Sequence, residues 1–220
     1  MLDQTEGFDG RLPFFSRYRC HDGMIGFMRI SNNPHSLIGR ENEFVKKKHG
    51  EAAKAFVSGR RCVRALQKRL GLPEFELPTG EFGPMWPRGL VGSISHSREL
   101  AAATILHDAV GVGIDIESQR RLKVGAVRRV VTKEEYSRYS VVPDFDWTLL
   151  FSAKESVFKA FSPLARASIG FQEVELSLDI TKQSFSLRYL GNKIDKGLFE
   201  KSEGHWSSLA GHLITVVMVK

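Results

Sequence analysis

The chain has 220 residues, 42% of them apolar and 26% charged, which is enough for a sizeable core and ordinary for a water-soluble protein. Thirty-two Lys and Arg against 25 Asp and Glu leave a net charge of +7, and such a surface attracts acidic partners: nucleic acid, a phosphorylated ligand or an acidic protein. No apolar run can span a bilayer, Asp3 and Glu6 argue against a signal peptide, and Cys20 and Cys62 form neither a disulfide framework nor a zinc pattern, so a cytoplasmic protein is expected.

Residues 1–36 mix aromatics with Gly and Pro and read as loops and short strands. From about Asn42 to Leu70 the pattern is helical, with Phe56, Val63, Leu66 and Leu70 on one face, and Gly71 and Pro73 stop it. Residues 72–90 read as a loop. Leu90–Ser97 and Ala101–Leu106 read as a β-hairpin, and Val112–Glu117 as a strand with strict alternation. Helices are predicted over 132–139, where Thr132 and Glu135 fit a capping box, and over 146–161. Phe171–Leu178, Ser184–Leu190 and Leu209–Val219 read as antiparallel strands. The order predicts an α+β protein whose halves divide near residue 110.

Three groups of residues carry chemistry. In Gly111-Val-Gly-Ile-Asp-Ile-Glu117, alternation puts Val112, Ile114 and Ile116 on one face and Asp115 and Glu117 on the other, roughly 7 Å apart. Two like charges there call for a cation or a wet cleft, and hard carboxylate oxygens suit magnesium; an isolated Asp-x-Glu also fits a solvated edge strand. Gly113 is expected to leave open space beside them. Along 149–161, Ser152, Glu155, Ser156 and Lys159 form a narrow polar stripe between apolar faces, fit to line a cleft. There Glu155 can add a third carboxylate and Lys159 can meet a phosphate, although the pair also fits a surface salt bridge. Arg60 and Arg64 share a helix stripe and can clamp a phosphate or face solvent. Ser93-Ile-Ser-His96 suits phosphate binding as well, while no elbow or acid partner supports a hydrolase triad.

Taken together, Gly59-Arg60, Val63-Arg64-Ala65-Leu66, Trp86-Pro87 leading to Gly92-Ser-Ile-Ser-His-Ser97, Gly113-Ile-Asp-Ile-Glu117 and Phe151-Ser-Ala-Lys-Glu-Ser156 with Lys159 resemble the 4′-phosphopantetheinyl transferase superfamily, in its monomeric, EntD/Sfp-like branch. The resemblance covers roughly residues 55–165. It implies a pseudo-dimer of two similar α+β halves, each a small antiparallel sheet packed on helices, with the active site in the cleft between them. Residues 1–110 would bind the adenosine-phosphate end of coenzyme A, and 111–220 would carry the metal and catalytic groups. It implies that Asp115, Glu117 and Glu155 bind Mg²⁺, that Lys159 contacts the pyrophosphate, and that Arg60, Ser95 and His96, with Arg64 nearby, bind the adenosine phosphates. Glu135 matches an acidic position that serves as metal ligand or base across the family. The proton acceptor is expected to be Glu155, then Glu117. The implied reaction moves phosphopantetheine from coenzyme A to a serine of an acidic acyl or peptidyl carrier protein. Relatives often carry a basic residue shortly before Trp-Pro; Glu81–Met85 supplies none, and Arg88 is the nearest substitute. A basic nucleic-acid-binding module and an inactive relative serving as a scaffold are the alternatives. The first lacks base-stacking aromatics interleaved with its Lys and Arg.

Overall fold

The computed structural model describes residues 14–17, 23–31 and 37–220. The expectations placed on Asp3, Glu6 and Cys20 lie outside the described residues. The described chain up to Ala109 forms one compact unit and Val110–Lys220 another.

In the N-terminal unit, β1 (Phe14–Arg17), β2 (Met24–Arg29), β5 (Leu90–His96) and β6 (Leu100–His107) make an antiparallel sheet in the order β1-β2-β6-β5. The helical stretch is two helices rather than one: α1 (Glu41–Lys46) and α2 (Gly50–Leu70), broken at a Gly50 whose φ is +54°. Gly71, at φ +68°, closes α2 with a left-handed cap. Cys62, Val63 and Leu66 of α2 pack on Met24, Met28, Ala103 and Ile105 of the sheet, because the 3.6-residue helix period and the 2-residue strand period both turn apolar side chains inward. The predicted loop before β5 holds a two-residue ladder, β3 (Thr79–Gly80) with β4 (Gly83–Pro84).

In the C-terminal unit, β7 (Gly111–Ser118), β8 (Val174–Asp179), β9 (Ser184–Tyr189), β10 (Ser202–Leu209) and β11 (His212–Val219) form an antiparallel sheet in the order β7-β11-β10-β9-β8. Helices α3 (Val124–Val130), α4 (Lys133–Tyr139), α5 (Thr148–Ala165) and α6 (Lys196–Glu200) complete it. The predicted capping box is present: Thr132 accepts from Glu135 N and Glu135 accepts from Thr132 N. The elements α3, α6 and β10 were not foreseen, and the strand expected from Phe171 begins at Val174, after a 3₁₀ turn over Phe171–Glu173. The β10–β11 hairpin turns at Ala210 and Gly211, both with positive φ, in what reads by pattern as one strand start.

The two units share a plan. A strand is followed by a long helix, and the last strand returns to pair antiparallel with the strand that precedes the helices: β2 with β6, β7 with β11. In the C-terminal unit the free edge of β8 is covered by side chains. Leu176 N donates to Glu135, Leu178 N donates to the Tyr139 hydroxyl, and Arg138 donates to Leu176 O.

Candidate active site

The site in the C-terminal unit starts from two glycines. A Cβ on Gly113 would lie 1.8 Å from Ser156 O and 2.7 Å from Ala160 N; one on Gly111 would lie 2.9 Å from Ala160 O. Helix α5 therefore rests directly on the backbone of β7, which only glycine permits. The space expected beside Gly113 is filled by that helix. Alternation then turns Asp115 and Glu117 to the α5 face, and the 3.6-residue period presents Glu155 and Lys159 to them. On the other face Val112, Ile114 and Ile116 are buried. The polar stripe of α5 is only partly a lining. Ser152 and Ser156 are fully buried, Ser152 bonding the Thr215 hydroxyl of β11 at 3.0 Å and Ser156 donating to Ala153 O.

Lys159 Nζ pairs with Asp115 Oδ1 at 2.7 Å, and Arg121, just past β7, pairs with Glu117. Burial, then the charge of Asp115, push the Glu117 carboxyl up to about 7, against the pull of Arg121 and Lys159. Arg121 loses that contest because its side chain is 56% exposed and water screens it, while Glu117 is buried. Glu155 is raised too, by burial first; Lys159 opposes the rise and Asp115 adds to it. Among the described residues no three His, Cys, Asp or Glu side chains stand close enough to hold a metal ion as they are. Asp115 and Glu117 are turned to their own ammonium and guanidinium partners. The donor set still fits magnesium. Two strand carboxylates and one helix carboxylate raise one another in a partly dry site, and a hard dication would relieve that repulsion.

Glu135 departs from expectation. It is fully buried, and both oxygens are engaged: Oε2 with Thr132 N at 2.7 Å and Lys154 Nζ at 2.7 Å, Oε1 with Leu176 N at 2.7 Å. Lys154, also fully buried, donates to Val130 O, Phe171 O and Val174 O. This pair ties α5 to the α3–α4 turn and to β8, and in this structure the partners of Glu135 are structural ones.

In the N-terminal unit Arg60 and Arg64 are spoken for. Glu41 at the start of α1 is fully buried, accepts from Leu77 N at 2.9 Å, pairs with Arg64, and lies 3.9 Å from Arg60 Nε. Arg60 also donates to Thr79 at 3.0 Å and stacks on Phe56, and burial pulls its guanidinium down to about 10. Arg64 reaches Glu74 at 3.2 Å as well. The pair expected to clamp a phosphate thus already holds α1, α2 and the β3 approach together. Ser95 and His96 part company: Ile94 meets Gly59 of α2, so His96 shares the α2 face and is exposed, while Ser95 is buried on the opposite face with Ser93.

Spacing did not reveal Glu41, Arg121 or Lys154. Glu41 and its arginines are about twenty positions apart, and Lys154 lies in a quoted motif with nothing to mark it as buried. Only the i, i+4 relation of Glu117 and Arg121 was legible, and across a strand end it carries no fixed geometry.

A family model described as the 4′-phosphopantetheinyl transferase N-terminal domain matches residues 40–106, and one described as the 4′-phosphopantetheinyl transferase superfamily matches residues 111–217. The chain is 37% identical to the 4′-phosphopantetheinyl transferase Svp of Streptomyces mobaraensis over 74% of its length and 71% of the relative's. It is 24% identical to the 4′-phosphopantetheinyl transferase PptT of Mycobacterium tuberculosis over 89% and 92%. It is 30% identical to the enterobactin synthase component D of Salmonella typhi over 80% and 76%. Among the described residues no helix is long and apolar enough to cross a membrane.

Proposed function

The chain belongs to the 4′-phosphopantetheinyl transferase superfamily, and from that premise we propose that it transfers the 4′-phosphopantetheine group of coenzyme A to a serine of an apo acyl or peptidyl carrier protein in a magnesium-dependent reaction. The observation that carries the reading is the seat of α5 on Gly111 and Gly113, which sets Glu155 and Lys159 against the Asp115 strand.

Asp115, Glu117 and Glu155 would hold the ion. When bound, it neutralises pyrophosphate charge and steadies the leaving group. The carrier serine oxygen forms a bond to the β-phosphorus of coenzyme A. The pyrophosphate P–O bond breaks, and adenosine 3′,5′-bisphosphate leaves with the bonding pair. The serine proton passes to a carboxylate, Glu155 first and Glu117 second. Lys159 orients the pyrophosphate once it releases Asp115. In the N-terminal unit, exposed His96 is the preferred contact for the adenosine phosphates; Arg60 and Arg64 set the local positive field while serving Glu41. The net charge of +7 favours encounter with an acidic carrier protein.

The test is incubation of the purified chain with coenzyme A, Mg²⁺ and a panel of apo carrier proteins, read by mass. The enterobactin synthase relatives direct the panel first to peptidyl carriers of siderophore assembly. A phosphopantetheine mass increment on one carrier, lost with chelator and in Asp115→Ala, is expected. No increment on any carrier would sink the reading.

A further inference from the structure

The loop that leaves β7 is bent back on itself and pinned on both sides of Arg121. Gln119 N bonds Gly211 O at 3.0 Å, Arg120 N bonds Asp146 Oδ2 at 2.8 Å, and Leu122 N bonds the Thr148 hydroxyl at 3.0 Å. Arg120 itself sits at φ +58°, a left-handed conformation costly for a side-chain-bearing residue. The fold tolerates that strain, and the result is that the Arg121 side chain returns over the strand it has just left. There its guanidinium pairs with Glu117 and lies 5.5 Å from the centre of the Phe151 ring of α5.

We infer that Arg121 is the internal counter-ion of Glu117, that a divalent cation must displace it, and that the released guanidinium then grips the anionic substrate. The inference rests on the metal reading of Asp115, Glu117 and Glu155 given above. Three features carry it. The side chain is 56% exposed, so it can swing into solvent without opening the core. The pair is a single ion pair between one guanidinium and one carboxylate, and a dication has twice the charge to offer that carboxylate. The loop backbone is fixed at residues 119, 120 and 122, so the side chain moves and its base does not. Once free, a planar fork with five donors suits a phosphate oxygen pair better than an ammonium does. Binding of cation and of polyphosphate is then coupled through one residue, each favouring the other.

The test uses the full chain and Mn²⁺ as the probe, without coenzyme A, with free Mn²⁺ read by electron paramagnetic resonance. Arg121→Gln is expected to bind Mn²⁺ about fivefold or more tightly than the parent chain, from loss of the competing charge. Arg120→Gln, which removes the same charge one position away, is expected to change it by less than about twofold, since an exposed charge in salt is screened. In saturating Mg²⁺, Arg121→Gln is expected to weaken coenzyme A binding about fivefold by calorimetry. Equal Mn²⁺ affinity in the parent and Arg121→Gln, or an equal gain in Arg120→Gln, overturns the counter-ion role. Unchanged coenzyme A affinity overturns the substrate grip. Failure of every chain to bind Mn²⁺ removes the metal assignment and this inference with it, whereas binding that ignores Arg121 removes the inference alone.

Discussion

The Glu41 network of the N-terminal unit and the Asp115 cluster of the C-terminal unit both bury carboxylates beside basic side chains. Their construction differs. Glu41 is fully enclosed, and its oxygens are taken by Arg64, Leu77 N and Ile38 N, with Arg60 close by. Its partners come from the backbone and from two arginines of α2, one buried and one nearly so. Around Asp115 and Glu117 the partners among the described residues include the tips of Lys159 and Arg121, 28% and 56% exposed. The first arrangement is closed and structural. The second holds its negative charge with side chains that can leave. Burying a charge with fixed partners makes a joint; burying it with movable ones makes a binding site.

The contrast can be broken by substitution. The largest effect belongs to the acidic cluster: Asp115→Ala and Glu155→Gln are each expected to cut transfer rate by about a thousandfold or more while the thermal midpoint holds. A midpoint falling in step with activity would make that cluster a joint like the other. Gly113→Ala should cost about 3 kcal/mol or more of stability, and activity with it, because α5 must lift off β7; chemical denaturation measures this. Glu41→Ala should cost a similar about 3 kcal/mol by stranding two buried guanidinium groups, with the KM for carrier protein little changed in the fraction that folds.

A smaller effect concerns pH. Glu117 has a folded value near 7, above its ordinary 4.5, so the folded chain binds more protons between those two values. In chelator, stability therefore falls as pH rises from about 4.5 through about 7, and the Glu117 carboxylate opposes folding above that window. Glu117→Gln should be more stable than the parent chain at pH 8, by about 1–2 kcal/mol after allowance for the lost Arg121 pair, with the gain vanishing near pH 5. A gain that is the same at both pH values would refute the sign. The smallest effect is His96→Ala, which should raise the KM for coenzyme A about threefold to tenfold with little change in kcat. A change confined to the carrier protein's KM would move His96 elsewhere.

What could be read from the sequence follows the range of the interactions. Alternation in β7 and the stripe on α5 are local, and they placed Asp115, Glu117, Glu155 and Lys159 on facing surfaces correctly. The Thr132–Glu135 capping box is local too, and it formed as read. What lay beyond the sequence was long-range. Arg60 and Arg64 looked free because Glu41 lies 19 residues before Arg60 and 23 before Arg64. Glu135 looked available because nothing nearby in sequence announces Lys154. Gly113 looked like empty space because a glycine in a strand signals close approach without naming what approaches. Helix α3 was missed because Val124–Val130 carries no cap side chain and is rich in β-branched valine.

The covered edge of β8 has a consequence for handling. An open strand edge invites a second chain to add itself, and that is how many sheet proteins precipitate. Here α4 blocks the edge with Glu135, Arg138 and Tyr139, so heat-induced clumping should begin when that helix melts rather than when the sheet does. Preparations would then be kept clear by anything that fastens a single seven-residue helix.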